Sequence, residues 1–436
     1  MTLESAARRL PRLRLPRGRP RLRPRNRLAL RLFALLAFVG PGLVAANAGN
    51  DAGGIATYAS VGARYGYDLL WMMVLITISL IVVQEMAARM GAVTGKGLAE
   101  LIREQYGPRW SLISTCAVLL ANLGICISEF VGIGAALGLA HVPVQVSVPI
   151  AAAVVWLLLV RGSYKLAERI FVAMTIPFFA YPIAAVLAHP HWGDVGRAVV
   201  EPQIHLSGAY VVLFIATVGT TITPFMQLYL QSAVVERGLG PEDIPAERAE
   251  VATASVFANL VAVFIIIATG ATLFVHGDHT VSSAADAARA LEPFAGRFAE
   301  ALFAVGLLGA SLLAAAILPV TAAYVIAETF GLEKGIARRP REAPVFVTTL
   351  TVLVLIGAVV AMIPGVPVIK LLVFVQVVNG ALLPVTLFFV WRLSRNEELM
   401  GEYRNGRAFD AVAGLTVLAT GALSLVLVGL TLAGKA

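Results

Sequence analysis

The chain has 436 residues, of which 58% are hydrophobic and only 14% are charged, and its mean hydropathy is +0.83. Soluble domains carry about 25% charged residues, so this composition excludes an ordinary soluble enzyme. Cys116 and Cys126 lie ten residues apart in one apolar run. That separation is too long for a disulfide within a helix, which excludes a disulfide scaffold. The net charge of +8 does not indicate nucleic acid as a partner, because of where the basic residues lie.

Apolar runs long enough to cross a hydrocarbon core of about 30 Å recur from Leu28 to Leu432. They predict an all-α polytopic membrane protein with about eleven spans, centred near residues 46, 80, 125, 152, 178, 222, 262, 312, 353, 380 and 421. With the amino terminus inside, 28 of the 34 Lys and Arg residues fall on the cytoplasmic side, as the positive-inside rule requires. We therefore predict a multi-pass protein of the cell (plasma or inner) membrane with a cytoplasmic amino terminus.

Residues 1–27 are rich in Arg and Pro and nearly free of acidic residues. An organelle transit peptide is one interpretation, but the segment lacks the Ser content and amphipathicity of such peptides. A disordered basic cytoplasmic tail against anionic lipid is favoured. Residues 28–190 are predicted to hold spans one to five and residues 191–395 spans six to ten. Residues 396–436 are predicted to form a loop and an additional eleventh helix.

Two spans contain breaks near the predicted centre of the bilayer. In span one, three glycines surround Asn50 and Asp51, and an Asp at that depth costs about 2.5 to 3.5 kcal/mol. In span six, Pro224 follows several threonines and removes a helical hydrogen bond. A single break is compatible with a packing kink. Two breaks at matching places in inverted repeats are typical of secondary transporters that bind their substrate at the midplane.

The sequence GPGLVAANAGNDAGG, followed by GARYGYDLLW and ARMGAVTGKGLAE, resembles the first two helices of the natural resistance-associated macrophage protein (Nramp) family of divalent metal transporters. The resemblance extends through spans six and ten and so covers most of the chain. It implies a leucine-transporter-like fold of the APC superfamily, with a 5+5 inverted repeat in which helices 1 and 6 are broken.

The resemblance also implies a metal site that departs from the family's pattern. The family's Asp-Pro-Gly-Asn reads Asp-Ala-Gly-Gly at 51–54, so Asp51 remains and Gly54 replaces a ligand Asn. The family's Met-Pro-His reads Thr-Pro-Phe at 223–225, with the carbonyl of Thr220 where the family uses a backbone oxygen. A register one residue longer brings in Met226 as an alternative thioether. The implied metal-site residues are Asp51, Asn50, Gly54, Thr220, Thr221, Thr223, Met226 and Gln376, of which Gln376 matches a family Gln that closes over the ion.

A polar stripe in span three is the second feature that the resemblance implies. The family carries an Asp and a Glu there that resemble a proton route, and these places read Cys126 and Glu129. Asn122, Cys126 and Glu129 share one helical face, so a proton or polar route along them is implied. The alternative for Glu129 is a carboxyl satisfied by a neighbouring helix. All six histidines fall in predicted outer connections or at their edges, so none is expected at membrane depth.

Oxygen ligands favour magnesium, calcium and manganese, whereas thioethers favour softer metals. Gly54 and Thr223 are shorter than the family's residues and predict a larger cavity, which suits Mg²⁺ with several of its waters. In this respect the chain resembles the Nramp-related magnesium transporters. We therefore predict import of a hard divalent cation, magnesium first and manganese second, by alternating access with weak or no proton coupling.

Two alternatives stay open. The first is an ordinary proton-coupled manganese or iron transporter of the Nramp type, and the second is an amino-acid permease of the same fold. An enzyme is not predicted, since the sequence carries no HExxH motif and no intramembrane His base. The predicted partners are the transported cation and the bilayer, with no cofactor and no nucleic acid, and a monomer is compatible with the sequence.

Overall fold

The structure is a computed structural model that describes residues 48–161, 176, 180–205, 207–335 and 341–433. The described residues all belong to one folded unit, Gly40–Ala436. They form helices and connections, and no β-strand occurs among them. The predicted basic tail, residues 1–27, lies outside the described ranges.

The helices are numbered here in chain order. The described ranges hold α1 (Ala52–Tyr65), α2 (Leu70–Thr94), α3 (Leu98–Leu139), α4 (Val144–Arg161), α5 (Ala180–Leu187), α6 (Trp192–Val200), α7 (Gly208–Thr221), α8 (Pro224–Glu236), α9 (Ile244–Thr269), α10 (Ala284–Ala288), α11 (Glu292–Ala295), α12 (Ala299–Phe330), α13 (Pro344–Ala361), α14 (Val368–Ser394), α15 (Glu397–Met400) and α16 (Arg407–Leu432). A π-helical turn, Gly270–Phe274, extends α9, and short 3₁₀ turns include Ala48–Asn50.

Nine segments of the described chain are long and apolar enough to cross a membrane, counting α7 and α8 as one segment. They coincide with the predicted spans centred near 80, 125, 152, 222, 262, 312, 353, 380 and 421. The predicted spans centred near 46 and 178 lie partly outside the described residues. The prediction of an all-α polytopic protein is confirmed, whereas the division into repeats at 28–190 and 191–395 stays a prediction.

Both predicted helix breaks are present. The turn Ala48–Asn50 ends at Asp51, and α1 begins at Ala52 with Asp51 as its N-cap. In span six, α7 ends at Thr221 and α8 begins at Pro224. A proline fits the first position of a helix because a backbone N–H at that position would have no partner within the helix, so its absence costs no hydrogen bond. The local sequence therefore stops one helix and starts the next in span six, and it starts α1 directly after a 3₁₀ turn in span one.

The break of span one lies inside the helix bundle. Helix α1 packs against α7, α9 and α14, and α3 packs along α12 beside it. Glycines let these backbones approach one another closely. A Cβ atom added at Gly219 of α7 would lie 2.2 Å from the carbonyl oxygen of Gln376 on α14, so α7 and α14 meet at this distance only because residue 219 has no side chain.

Candidate metal-binding site

Asp51 is the charged group at the break of span one, and it is only 1% exposed. Its Oδ1 accepts a hydrogen bond from the backbone N–H of Gly54 at 2.6 Å, which caps the amino end of α1. The helix dipole favours a carboxylate at that end. The amide of Gln376 on α14 donates to Oδ1 at 3.2 Å and to Oδ2 at 3.5 Å. Two residues from distant parts of the predicted site therefore meet.

The turn before Asp51 is held from two sides. The side-chain amide of Asn50 donates to the carbonyl of Ala258 on α9 at 3.1 Å. The carbonyl of Gly49 lies 3.4 Å from the hydroxyl of Thr220 and 3.4 Å from that of Tyr58. The two broken spans thus contact each other directly at Gly49.

The hydroxyls of Thr221 and Thr223 differ in their hydrogen bonding. The Thr221 hydroxyl donates to the carbonyl of Thr217 at 2.7 Å. Because its hydrogen is used there, it accepts from the Tyr58 hydroxyl at 2.9 Å. The Thr223 hydroxyl is fully buried and has no partner within the described ranges. Of the two predicted hydroxyl ligands, only Thr223 has an oxygen that no neighbouring group already engages.

The expectation of an enlarged cavity at Gly54 is wrong for this conformation. A Cβ atom added at Gly54 would lie 2.2 Å from the carbonyl oxygen of Gly49 and 2.9 Å from the hydroxyl of Thr220. The turn Ala48–Asn50 folds against the start of α1, so backbone fills the space that a longer side chain would need.

Met226 lies just after the break of span six and close to Gly49 of span one. It lies in the first turn of α8, and its Cε is 3.2 Å from the position that a Cβ atom of Gly49 would take. The carbonyl oxygen of Thr220 is 3.0 Å from that same position. The sulfur of Met226 accepts a hydrogen bond from Nε2 of Gln84 on α2 at 3.7 Å. The methyl group of Met226, rather than its sulfur, faces the turn.

The polar stripe on α3 does not act as one surface. Oε2 of Glu129 accepts from the backbone N–H of Ala52 at 3.3 Å, which places this carboxyl at the amino end of α1, beside Asp51. The thiol of Cys126 donates instead to the carbonyl of Leu353 on α13 at 3.5 Å. Both side-chain atoms of Asn122 are buried with no partner among the described residues. Glu129 is thus satisfied by a neighbouring helix, and that helix starts at the site.

Four residues of the site were not among those assigned from the sequence. Asn379 donates to Oε1 of Gln376 at 2.7 Å and orients it. In the amide orientation that satisfies hydrogen bonding, Gln227 donates to the carbonyl of Thr223 at 2.7 Å. Tyr58 and Gln84 are the other two. An uncharged polar residue inside an apolar run, as Gln84 is, was the signal available for such positions.

The positions of the histidines and the acidic residues determine which ligand groups the candidate site can offer. All six histidines are exposed, and each lies outside the nine candidate membrane spans of the described chain. In the part of the chain that the structure describes, no group of three or more His, Cys, Asp or Glu side chains is placed to hold a metal ion. The candidate site consists of the Asp51 carboxylate with carbonyl, hydroxyl and amide groups around it.

Comparison with known proteins identifies the relatives of the chain. The profile of the natural resistance-associated macrophage protein-like family matches residues 42–430. The divalent metal cation transporter MntH of Ralstonia nicotianae is 32% identical over 413 residues, which is 92% of each chain. MntH 1 of Pseudomonas aeruginosa is 31% identical over 408 residues, covering 89% of this chain and 90% of the relative. These relatives are named as transporters, which supports the expectation that the chain is not an enzyme.

Solved structures show the same fold. The Eremococcus coleocola manganese transporter, in complex with an aromatic bis-isothiourea substituted compound, matches with a TM-score of 0.75 and 21% identity, over 93% of this chain and 88% of its own. MhsT in complex with L-phenylalanine matches with a TM-score of 0.56 and 13% identity, over 89% and 97% of the two chains. The predicted leucine-transporter-like fold is confirmed.

Proposed function

Since the chain belongs to the natural resistance-associated macrophage protein-like family of divalent metal cation transporters, we propose that it imports a hard divalent cation, Mg²⁺ before Mn²⁺, by alternating access around Asp51. Transport is weakly coupled to protons or not coupled at all. The protein works in the cell membrane with its amino terminus in the cytoplasm, as the distribution of Lys and Arg supports.

The observation that carries this proposal is a buried carboxylate without a cationic partner. Asp51 is 1% exposed, and no salt bridge to it occurs among the described residues. Its hydrogen-bond donors are neutral amides, from Gly54 and Gln376. A charge removed from water is costly unless a cation pairs with it, so a transported cation is the partner that this position calls for.

The choice of a hard ion follows from the donor atoms. The carboxylate of Asp51, the carbonyl of Thr220 and the hydroxyl of Thr223 are all oxygen ligands, which Mg²⁺ and Mn²⁺ prefer. Mg²⁺ loses its water reluctantly and keeps several water molecules in protein sites. Such an ion enters when the contact between Gly49 and Thr220 opens, and the ion sheds part of its water as the contact closes again.

Gln376 gives the closing step a physical basis. Its amide now donates to Asp51 from α14, which is a different segment from the two broken spans. In the ion-bound state the cation takes the place of that amide at the carboxylate, and the side-chain oxygen of Gln376 turns toward the ion. Asn379 now donates to that oxygen and releases it for this step.

Weak proton coupling follows from the replacement of two titratable family residues, an Asp by Cys126 and a His by Phe225. Cys126 donates to the carbonyl of Leu353, and Phe225 is a fully buried hydrocarbon beside Pro224. The thiol keeps its proton in this hydrogen bond and the hydrocarbon has none to release, so neither group exchanges a proton for a cation. Glu129 is the titratable neighbour of the site that remains.

The test is flux in sealed proteoliposomes loaded with dyes for Mg²⁺, Mn²⁺ and internal pH. We expect Mg²⁺ entry without acidification in the wild type and no entry in Asp51→Ala. Asp194→Ala is the matched control, because Asp194 is an exposed carboxylate on α6, and it should keep wild-type flux. Wild-type flux in Asp51→Ala overturns the mechanism.

A second candidate is proton-coupled manganese or iron import with Met226 as a soft ligand. Two observations favour it: the relatives named MntH and the manganese transporter of the same fold, and the position of Met226 beside Gly49. The same vesicles decide between the two. Entry of Mn²⁺ or Cd²⁺ with acidification, and no entry of Mg²⁺, supports this candidate and overturns the first. Uptake of labelled amino acids would instead indicate a permease.

A further inference from the structure

The sulfur of Met226 is already engaged by another side chain. Nε2 of Gln84 on α2 lies 3.7 Å from Sδ of Met226 on α8. Both side chains are 0% exposed, so water does not compete for this contact. A thioether has no hydrogen to donate, so the amide nitrogen, and not the amide oxygen, is the group that makes a favourable contact with it.

The packing of α2 against α8 keeps the pair together. A Cβ atom added at Gly91 of α2 would lie 2.9 Å from the carbonyl oxygen of Gln231 on α8. The backbones of α2 and α8 are therefore close together at Gly91 and Gln231. These two residues lie about one and a half to two helical turns C-terminal to Gln84 and Met226. Gln84 therefore contacts the sulfur of Met226, while the Cε of Met226 lies close to Gly49.

The oxygen of the Gln84 amide has a different environment from its nitrogen. Its Oε1 is buried and has no hydrogen-bond partner in the described part of the chain. A buried polar atom without a partner lowers stability, and an apolar side chain at this position would avoid that cost. A buried glutamine whose oxygen has no partner in the described chain is better explained by what its N–H groups do.

We propose that Gln84 determines the ion specificity of the site by occupying the sulfur of Met226. A metal ligand must direct a lone pair at the ion. The hydrogen bond from Gln84 takes up one of the two lone pairs of the sulfur and holds the side chain with its methyl group toward the turn. The site then presents oxygen ligands alone and excludes soft ions. This inference rests on the proposed function as a divalent cation transporter, and it goes beyond it by naming the residue that controls the choice of ion.

The experiment compares Cd²⁺ and Mg²⁺ flux in proteoliposomes of four variants. Gln84→Leu removes the donor, and we expect the ratio of Cd²⁺ flux to Mg²⁺ flux to rise about two- to tenfold, the range that loss of one neutral hydrogen bond allows. Gln84→Leu combined with Met226→Leu should return the ratio to the wild-type value. Met226→Leu alone should leave the wild-type ratio unchanged. Gln231→Leu is the matched control, since Gln231 is also buried with an unpartnered Oε1 but donates elsewhere, to the carbonyl of Lys96.

A binding measurement on the wild type keeps the test decisive if a variant does not fold. X-ray absorption of the purified protein loaded with Cd²⁺ should show oxygen scatterers and no sulfur. Sulfur in the wild-type spectrum, a fall in wild-type Cd²⁺ flux on Met226→Leu, or an unchanged ratio in Gln84→Leu each overturns the inference. Failure of the proposed function is a separate result, read from the Mg²⁺ flux of the wild type. If Mn²⁺ is carried instead of Mg²⁺, the ratio of Cd²⁺ to Mn²⁺ flux tests Gln84 in the same way.

Discussion

The two broken spans begin their second helices differently. Helix α1 has the carboxylate of Asp51 as its N-cap, whereas α8 begins at Pro224, next to the neutral hydroxyl of Thr223. Asp51 accepts from Gly54 and brings a negative charge to the site. Pro224 needs no hydrogen bond for its nitrogen, and the Thr223 hydroxyl stays without a partner among the described residues. One break supplies the charge that attracts any divalent cation, and the other supplies neutral oxygens. Substitutions at the two breaks should therefore affect transport in different ways.

The largest effect is expected from Asp51→Asn. Asn caps a helix about as well as Asp and removes an unpaired buried charge, so the melting temperature of the cation-free protein should stay level or rise. Loss of the charge should lower flux of every divalent cation by at least about 100-fold, which corresponds to about 2.7 kcal/mol. Asp51→Ala should lose the cap as well and destabilise the protein by about 0.5 to 2 kcal/mol. Normal flux in Asp51→Asn would show that carbonyl groups alone bind the ion.

The next largest effect is expected at Gln376, whose side chain contacts Asp51 at the first break. Gln376→Leu removes the side-chain oxygen that we propose turns toward the ion, and we expect cation flux at low concentration to fall about 10-fold or more, which corresponds to about 1.4 kcal/mol. Asn379→Ala leaves Gln376 in place but removes its orienting donor, so its flux should lie between those of the wild type and Gln376→Leu. An effect of Asn379→Ala larger than that of Gln376→Leu would contradict this order.

A pair of substitutions at the second break separates binding from stability. Thr223→Val removes a hydroxyl that has no partner within the described ranges, so the melting temperature should stay level or rise while the affinity for Mg²⁺ falls about three- to tenfold. Thr221→Val removes a hydroxyl that is bonded to Thr217 and Tyr58, and it should cost about 1 kcal/mol of stability with less effect on affinity. Isothermal titration and thermal melts of both variants measure this difference. The reverse pattern would make Thr221 the ligand.

The smallest effect should come from the contact that joins the two breaks. Tyr58→Phe keeps the ring and removes the hydroxyl between Gly49 and Thr221. We expect a loss of about 1 kcal/mol in stability and a two- to threefold change in flux, since one neutral hydrogen bond contributes about that much. A matched change at a half-buried ring outside the candidate site, Tyr403→Phe, should leave flux unaltered. Complete loss of transport in Tyr58→Phe would mean that the hydroxyl binds the ion.

The positions of both breaks were readable in the sequence because their causes are local. Glycines around Asp51 and a proline at position 224 interrupt a helix wherever the chain places them. The nine apolar helices of the described ranges were likewise predictable, since length and hydropathy decide whether a segment spans a membrane.

The contacts of the site were not readable in the same way. Gln84 and Met226 are 142 residues apart in the chain. No local sequence pattern predicts that Gln84 contacts the sulfur of Met226 while the methyl group lies near Gly49. The size of the cavity at Gly54 was misjudged for the same reason. The missing side chain was visible in the sequence, but the carbonyl of Gly49 that fills its place was not.

The sequence by itself determined that the chain crosses a membrane many times, that two of its spans are broken, and that one break carries a buried Asp. These properties depend on composition, hydropathy and backbone preferences, which act over a few residues. Only the tertiary structure decided that Gln376 covers Asp51, that Glu129 meets the start of α1, and that the Cys126 thiol points to α13. Such contacts join helices far apart in the chain, and they depend on how closely glycines let the backbones pack.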